Sequence, residues 1–156
     1  MSVLAAIRPG DVNLALFVHV LGAMLLVGTL LAASSALLIA WRRTDPGEEQ
    51  ALTRFGLRVL LMGVLPAYVV MRIGAQWVES KENLPDDFDP TWIGIGYVTA
   101  DAGAILLLIS IVLSAIGLRR LRNGGGTGFG RAVAVLATLL LAAYIVATWA
   151  MSAKPD

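Results

Sequence analysis

The sequence of 156 residues contains no cysteine and a single histidine, His19. The lack of cysteine excludes disulfides, thiolate metal sites and a cysteine nucleophile. Charged residues make up 15% of the chain and apolar residues 58%, whereas an ordinary soluble domain has about 25% charged residues. The net charge of +1 gives no indication of nucleic acid as a partner. This composition excludes a disordered chain and indicates a membrane protein in contact with the lipid bilayer.

Four long apolar segments contain almost no charged residues. The second contains only Arg72, the third contains only Asp101, and the other two contain none. Each segment is long enough to cross a hydrocarbon core of about 30 Å as a helix that rises about 1.5 Å per residue. We therefore predict an all-α fold, an integral membrane four-helix bundle that forms a single domain over residues 1–156. The predicted spans are residues 12–41, 59–78, 92–118 and 132–153.

Positive charge is concentrated in two of the three connections between these spans. The middle connection, residues 79–89, contains Lys81 and five acidic residues. Lys and Arg are enriched in short cytoplasmic loops, so the pattern predicts that the first and last connections are cytoplasmic and that both termini are outside. The first span is longer than the apolar core of a signal peptide, so we expect it to stay uncleaved. The arginines that flank the two basic connections are Arg42, Arg43, Arg54, Arg58, Arg119, Arg120, Arg122 and Arg131.

The second span contains a proline. Pro66 cannot donate a hydrogen bond to the carbonyl of Met62, one turn earlier. The sequence therefore predicts a kinked helix at this point.

Three ionisable side chains lie within the spans, namely His19, Arg72 and Asp101. A charge near the centre of a bilayer costs at least ~2.5–3.5 kcal/mol, so such residues usually face the bundle interior and pair. Counting residues from the outer ends of the helices predicts that all three lie in the outer half, with Tyr144 of the fourth span at a similar depth. We expect Arg72 and Asp101 to face each other.

Helical periodicity extends this polar layer. Side chains four and three residues apart share a face, so a polar stripe on the second span is not expected to face lipid. The stripe consists of Tyr68, Arg72, Gln76 and Glu79. On the third span the face of Asp101, which we expect to line the interior, includes Gly94, Ala104 and Leu108. On the first span the His19 face includes Gly22, Thr29 and Ala33. The candidate binding residues are His19, Arg72, Asp101, Tyr144, Tyr68 and Gln76.

Several roles for this layer remain open. Arg72 and Asp101 can form a structural ion pair that fixes neighbouring helices. The same groups can bind a proton, an anion or a quinone-like head group, because they supply donors and an acceptor beside apolar surface. A b-type haem would require a second axial ligand besides His19, either Met71, Met24 or the His19 of a second copy. The sequence shows no Ser-His-Asp arrangement, which disfavours a stand-alone hydrolase.

The segment from Leu16 to Thr29 contains a His followed by small residues, and a basic loop and a second helix with Pro66 come after it. Together these features resemble an uncharacterised family of small four-helix bacterial membrane proteins. It is also distantly similar to the membrane domain of copper-resistance protein D. The resemblance covers about the first half of the chain and matches His19, Gly22 and Gly28. It implies a bacterial plasma membrane location and no particular reaction.

A second group of small residues on the first span, Gly28, Ala32 and Ser35, lies about 90–120° from the His19 face. Small residues at this spacing let helices pack closely in lipid, either in a homo-oligomer or within one chain. From the sequence we expect a small membrane protein that binds or moves a small solute or proton, or that acts as an accessory subunit. The alternative is a membrane redox component that binds haem or quinone.

Overall fold

The computed structural model describes residues 10–82, 91–125 and 128–153. Four of its helical segments are long and apolar enough to cross a membrane, and this part of the chain contains no strand. The predicted all-α four-helix membrane bundle is therefore confirmed. Its helices are α1 (Gly10–Arg42), α2 (Pro46–Val59), α3 (Leu65–Glu82), α4 (Thr91–Arg122) and α5 (Gly128–Ala153), with a π-helical turn, Leu60–Val64, between α2 and α3.

The helix of the second span begins at Pro46, thirteen residues before the predicted start of the span at residue 59. The side chain of Asp45 accepts a hydrogen bond of 2.8 Å from the backbone N–H of Glu48, and Pro46 occupies the first helical position. Both features favour the start of a helix. Much of the segment that the sequence predicts to be a basic connection is thus an amphipathic helix, which extends the second span beyond its apolar part.

The irregularity expected at Pro66 takes the form of a π turn directly before the proline. The N–H of Leu65 donates to the carbonyl of Leu60, five residues earlier, instead of four. Pro66 itself has no N–H to continue the α-helical pattern. The predicted disruption is therefore absorbed by one widened turn, a form that π-helical segments commonly take within α-helices.

The helices form an open ring with two distinct ends. We call the end with the arginines of the two basic connections the arginine end, and the end where α1 begins and α5 finishes the terminal end. α1 packs against α2, α3 and α5, while α4 packs against α5 and α2. α3 and α4 make few contacts with each other. The ring is thus closed by α2 at the arginine end and remains loose between α3 and α4 at the terminal end.

The closest approach of two spans is the crossing of α1 and α3. A Cβ atom added at Gly74 would lie 2.5 Å from the backbone nitrogen of His19, and one added at Gly22 would lie 2.6 Å from the Cα of Met71. Each glycine therefore lets the backbone of the other helix rest directly on its Cα. Such contacts are a main source of helix association in lipid, where apolar burial gives little net advantage.

This crossing predicts a loss of stability for one of two matched substitutions in the bundle and little change for the other. Gly74→Ala forces a methyl group into the backbone of α1 and is expected to destabilise the protein by about 1–3 kcal/mol, the usual cost of overpacking. Gly28→Ala is the control, because a Cβ there meets nothing within 4 Å. Thermal unfolding in mild detergent measures both variants. Equal melting temperatures for the two variants would show that the crossing is not tightly packed.

Candidate functional site

The two charged residues of the spans form an ion pair between α3 and α4. The Nη2 atom of Arg72 lies 2.8 Å from Oδ1 of Asp101. The Arg72 side chain is 25% exposed and the Asp101 side chain 65% exposed. The predicted contact is therefore confirmed, and the Asp101 carboxylate remains open to the surroundings of the bundle.

Tyrosines surround this ion pair and complete the bridge between the two helices. The hydroxyl of Tyr68 donates to the carbonyl of Ala100 at 3.2 Å. The guanidinium carbon of Arg72 lies 5.3 Å from the centre of the Tyr97 ring, a distance at which a cation is attracted to an aromatic face. We call the space bridged by Tyr68, Arg72, Tyr97 and Asp101 the α3–α4 gap. Side chains, rather than closely packed backbones, connect the two helices there.

Tyr144 of α5 places an unpartnered hydroxyl behind the gap. The side chain is only 6% exposed, and its hydroxyl has no hydrogen-bond partner among the described residues. The ring ends against Gly103 of α4, where a Cβ would overlap with it. Its hydroxyl is near enough to Tyr68, Arg72 and Asp101 to interact with them electrostatically. A buried hydroxyl without a partner is costly, so this group is available to a polar ligand or a water molecule.

His19 lies at the same level of the bundle but on the other side of α3. Its Nδ1 atom is 2.9 Å from the backbone carbonyl of Met71, the residue before Arg72. When Nδ1 donates this hydrogen bond, Nε2 keeps its lone pair. The contact fixes the ring against α3, and the polar layer thus consists of a histidine bonded to backbone and a separate cluster in the α3–α4 gap.

Two expectations about helix faces are wrong. Gln76 is exposed and makes no hydrogen bond to the described residues, so it does not join the cluster. Leu108, expected in the interior together with Asp101, is 56% exposed. Small residues occupy the buried faces because they allow close contact, and the larger polar side chains lie at the edges of these faces. The buried face of α4 consists of Ala100, Gly103, Leu107, Ser110, Ser114, Gly117 and Leu118.

Sequence reasoning missed Tyr97 as part of the site. Tyr97 lies one helical turn before Asp101, and residues four apart share a face of a helix. It contacts Arg72 through its ring. The spacing of four residues was the available signal, and an aromatic residue near the end of a span is too common in membrane proteins to attract notice.

The arrangement provides an acceptor and several donors in a small region of the terminal end. Asp101 can accept a proton or a hydrogen bond, while Arg72 and the hydroxyl of Tyr144 can donate to an oxygen atom. Within residues 10–82, 91–125 and 128–153, no three His, Cys, Asp or Glu side chains come together in a way that could hold a metal ion. The acceptor and the donors of the gap allow exchange of a proton and of hydrogen bonds.

No family model, curated protein or solved structure matches this chain in the comparisons. The fold and the site define a class: a small integral membrane protein with four spanning helices and a polar cluster between its second and third spans. The similarity of residues 16–29 to copper-resistance protein D stays a prediction. Any function for this chain must therefore rest on the geometry of the cluster.

Proposed function

We propose that this membrane protein binds a small solute or a proton in the α3–α4 gap, either to carry it or as an accessory subunit of a larger assembly. The observation that carries the proposal is the exposure of Asp101, which pairs with Arg72 at 2.8 Å yet keeps 65% of its side chain exposed. A pair that served only to fix two helices would be best shielded between closely packed backbones. α3 and α4 instead make few contacts with each other.

The position of Asp101 along α4 supports access to the carboxylate. About 20 helical residues span a hydrocarbon core of about 30 Å. Counted from Arg119, which we place at the cytoplasmic boundary, the opposite boundary falls near Thr99. Asp101 then lies just inside the outer boundary, where an exposed carboxylate costs less than at the bilayer centre. A solute or proton can therefore reach it from the membrane surface.

A carbodiimide that partitions into the bilayer tests this proposal, because such reagents modify a carboxyl group in its protonated form. Dicyclohexylcarbodiimide is expected to modify Asp101 in native membranes, with a yield that rises as the pH falls. Arg72→Ala should raise the yield, since loss of the guanidinium frees the Asp101 oxygen that it contacts at 2.8 Å. Peptide mapping by mass spectrometry locates the adduct, and Asp101→Asn provides the control. Failure to modify Asp101 at any pH at which the bundle stays folded would contradict the proposal.

A second candidate function, a redox component that binds haem, draws on one observation at His19. A histidine that binds a metal through one nitrogen usually donates from the other to a carbonyl or carboxylate, as Nδ1 can do here to Met71. The second axial ligand would come from a methionine or from His19 of a second copy. An absorption spectrum decides: a Soret band that disappears in His19→Ala supports haem, and a colourless purified protein contradicts it.

We also propose that the protein resides in a bacterial plasma membrane with its arginine end in the cytoplasm, as the distribution of Lys and Arg indicates. Single cysteines at Asn83 and Gly125 test this orientation with a membrane-impermeant thiol reagent in intact cells, because the chain has no cysteine of its own. We expect labelling at position 83 only, and at position 125 only after the cells are opened. Labelling of position 125 but not 83 in intact cells would reverse the orientation.

A further inference from the structure

The arginine end carries an excess of positive charge on the side of α4 and α5. Residues 102–153 contain four arginines and no acidic residue. The carboxylates of this end belong instead to the segment between α1 and α2 and to the first turn of α2, where Glu48 pairs with Arg43 at 3.3 Å. None of the four arginines of α4 and α5 forms an ion pair within the described residues. Their positive charge is therefore available to an external anion.

One of these arginines, Arg131 near the start of α5, lies over an aromatic ring at the end of α1. Its guanidinium carbon is 5.8 Å from the centre of the Trp41 ring, a distance at which a cation is attracted to an aromatic face. Arg131 is exposed, and its side chain forms no hydrogen bond in the part of the chain that the structure describes. The ring thus holds the guanidinium at the contact between α1 and α5 while its N–H donors stay free.

Trp41 and Arg131 lie where lipid headgroups are expected. The apolar segment of α1 ends at Trp41, and that of α5 begins directly after Arg131. Tryptophan is enriched at this boundary of membrane proteins. Val135 and Leu139 follow Arg131 by one and two helical turns on the same face of α5, and they are 45% and 57% exposed. We call Trp41, Arg131, Val135 and Leu139 the α1–α5 junction, which offers a cation at headgroup level and apolar surface beside it towards the bilayer centre.

The charge of the junction distinguishes between classes of lipid. A guanidinium binds phosphate oxygens with two parallel N–H donors. Arg42 follows Trp41 directly and adds a second positive charge at the end of α1. A choline or ethanolamine headgroup would bring its own ammonium close to these two cations, whereas a headgroup whose only charge is the phosphate would not. Charge complementarity therefore favours an anionic phospholipid.

We propose that the α1–α5 junction binds an anionic phospholipid, with the phosphate at Arg131 and an acyl chain along Val135 and Leu139. The ring of Trp41 positions the guanidinium for this contact. The proposal is independent of the function proposed for the α3–α4 gap, because the two places share no residue. It is also independent of the orientation of the protein, since the leaflet at the arginine end supplies the lipid in either case.

Native mass spectrometry of the full chain in mild detergent tests the proposal with lipids of identical acyl chains. We expect a phosphatidylglycerol adduct on the wild-type protein and a much weaker phosphatidylcholine adduct. Arg131→Gln should reduce the phosphatidylglycerol adduct about tenfold or more, the loss expected for a charge-assisted hydrogen bond. Trp41→Leu keeps an apolar side chain but removes the aromatic face, and it should weaken the adduct as well. Arg54→Gln is the matched control, because it removes the same charge from an exposed position on α2 and should retain the adduct.

Several results would overturn the proposal. Equal adducts with the glycerol and choline lipids would show that the charge of the headgroup is not recognised, and an unchanged adduct in Arg131→Gln would show that Arg131 does not bind it. Equal loss in Arg54→Gln and Arg131→Gln would reflect overall charge. Displacement of the lipid by soluble glycerol phosphate at a similar concentration would assign the junction to a soluble anion. A melting temperature of Arg131→Gln equal to that of wild type without added lipid would show that loss of the adduct is not loss of the fold.

Discussion

Direct contact between backbones holds this bundle together, because moving an apolar side chain from lipid into a protein interior gains little free energy. The contact is closest where α1 crosses α3, with Gly22 and Gly74 each resting on the opposite chain. α1 thereby becomes the central helix, to which α2, α3 and α5 attach, while α4 is held by α5 and α2. α3 and α4 lie on either side of the remaining opening.

The polar cluster follows from this arrangement. Two helices that cannot approach closely can still be joined by long side chains, and Arg72, Tyr68 and Asp101 bridge the opening by an ion pair and a hydrogen bond. The bridge leaves the Asp101 carboxylate accessible and the Tyr144 hydroxyl without a partner. Groups in this state can exchange their contacts with a solute or a proton without separating the spans. The opening between α3 and α4 is thus a weak point of packing, and it is the place where we propose binding.

Much of this architecture could be predicted from the sequence, because lone charges in apolar segments have few ways to be accommodated. The long apolar segments located the spans, and the cost of a lone charge in lipid paired Arg72 with Asp101. Helical periodicity failed for Gln76 and Leu108, because it shows which residues share a face but not which face meets a neighbouring helix. The burial of Glu49 in α2 could not be predicted. It depends on α2 packing against α1 and α4, in a segment whose charges are typical of a loop.

The central claim is that Arg72 and Asp101 hold each other across an accessible gap, and a double-mutant cycle in detergent unfolding tests it most directly. Arg72→Ala, Asp101→Ala and the double variant are compared with wild type. We expect a coupling energy of about 1 kcal/mol, within the range for contacting residues but below the loss of about 3–5 kcal/mol for breaking a fully buried pair, because Asp101 is exposed. The double variant should therefore recover part of the combined loss. Strictly additive losses would show that the two residues do not interact, and the account of the gap would be wrong.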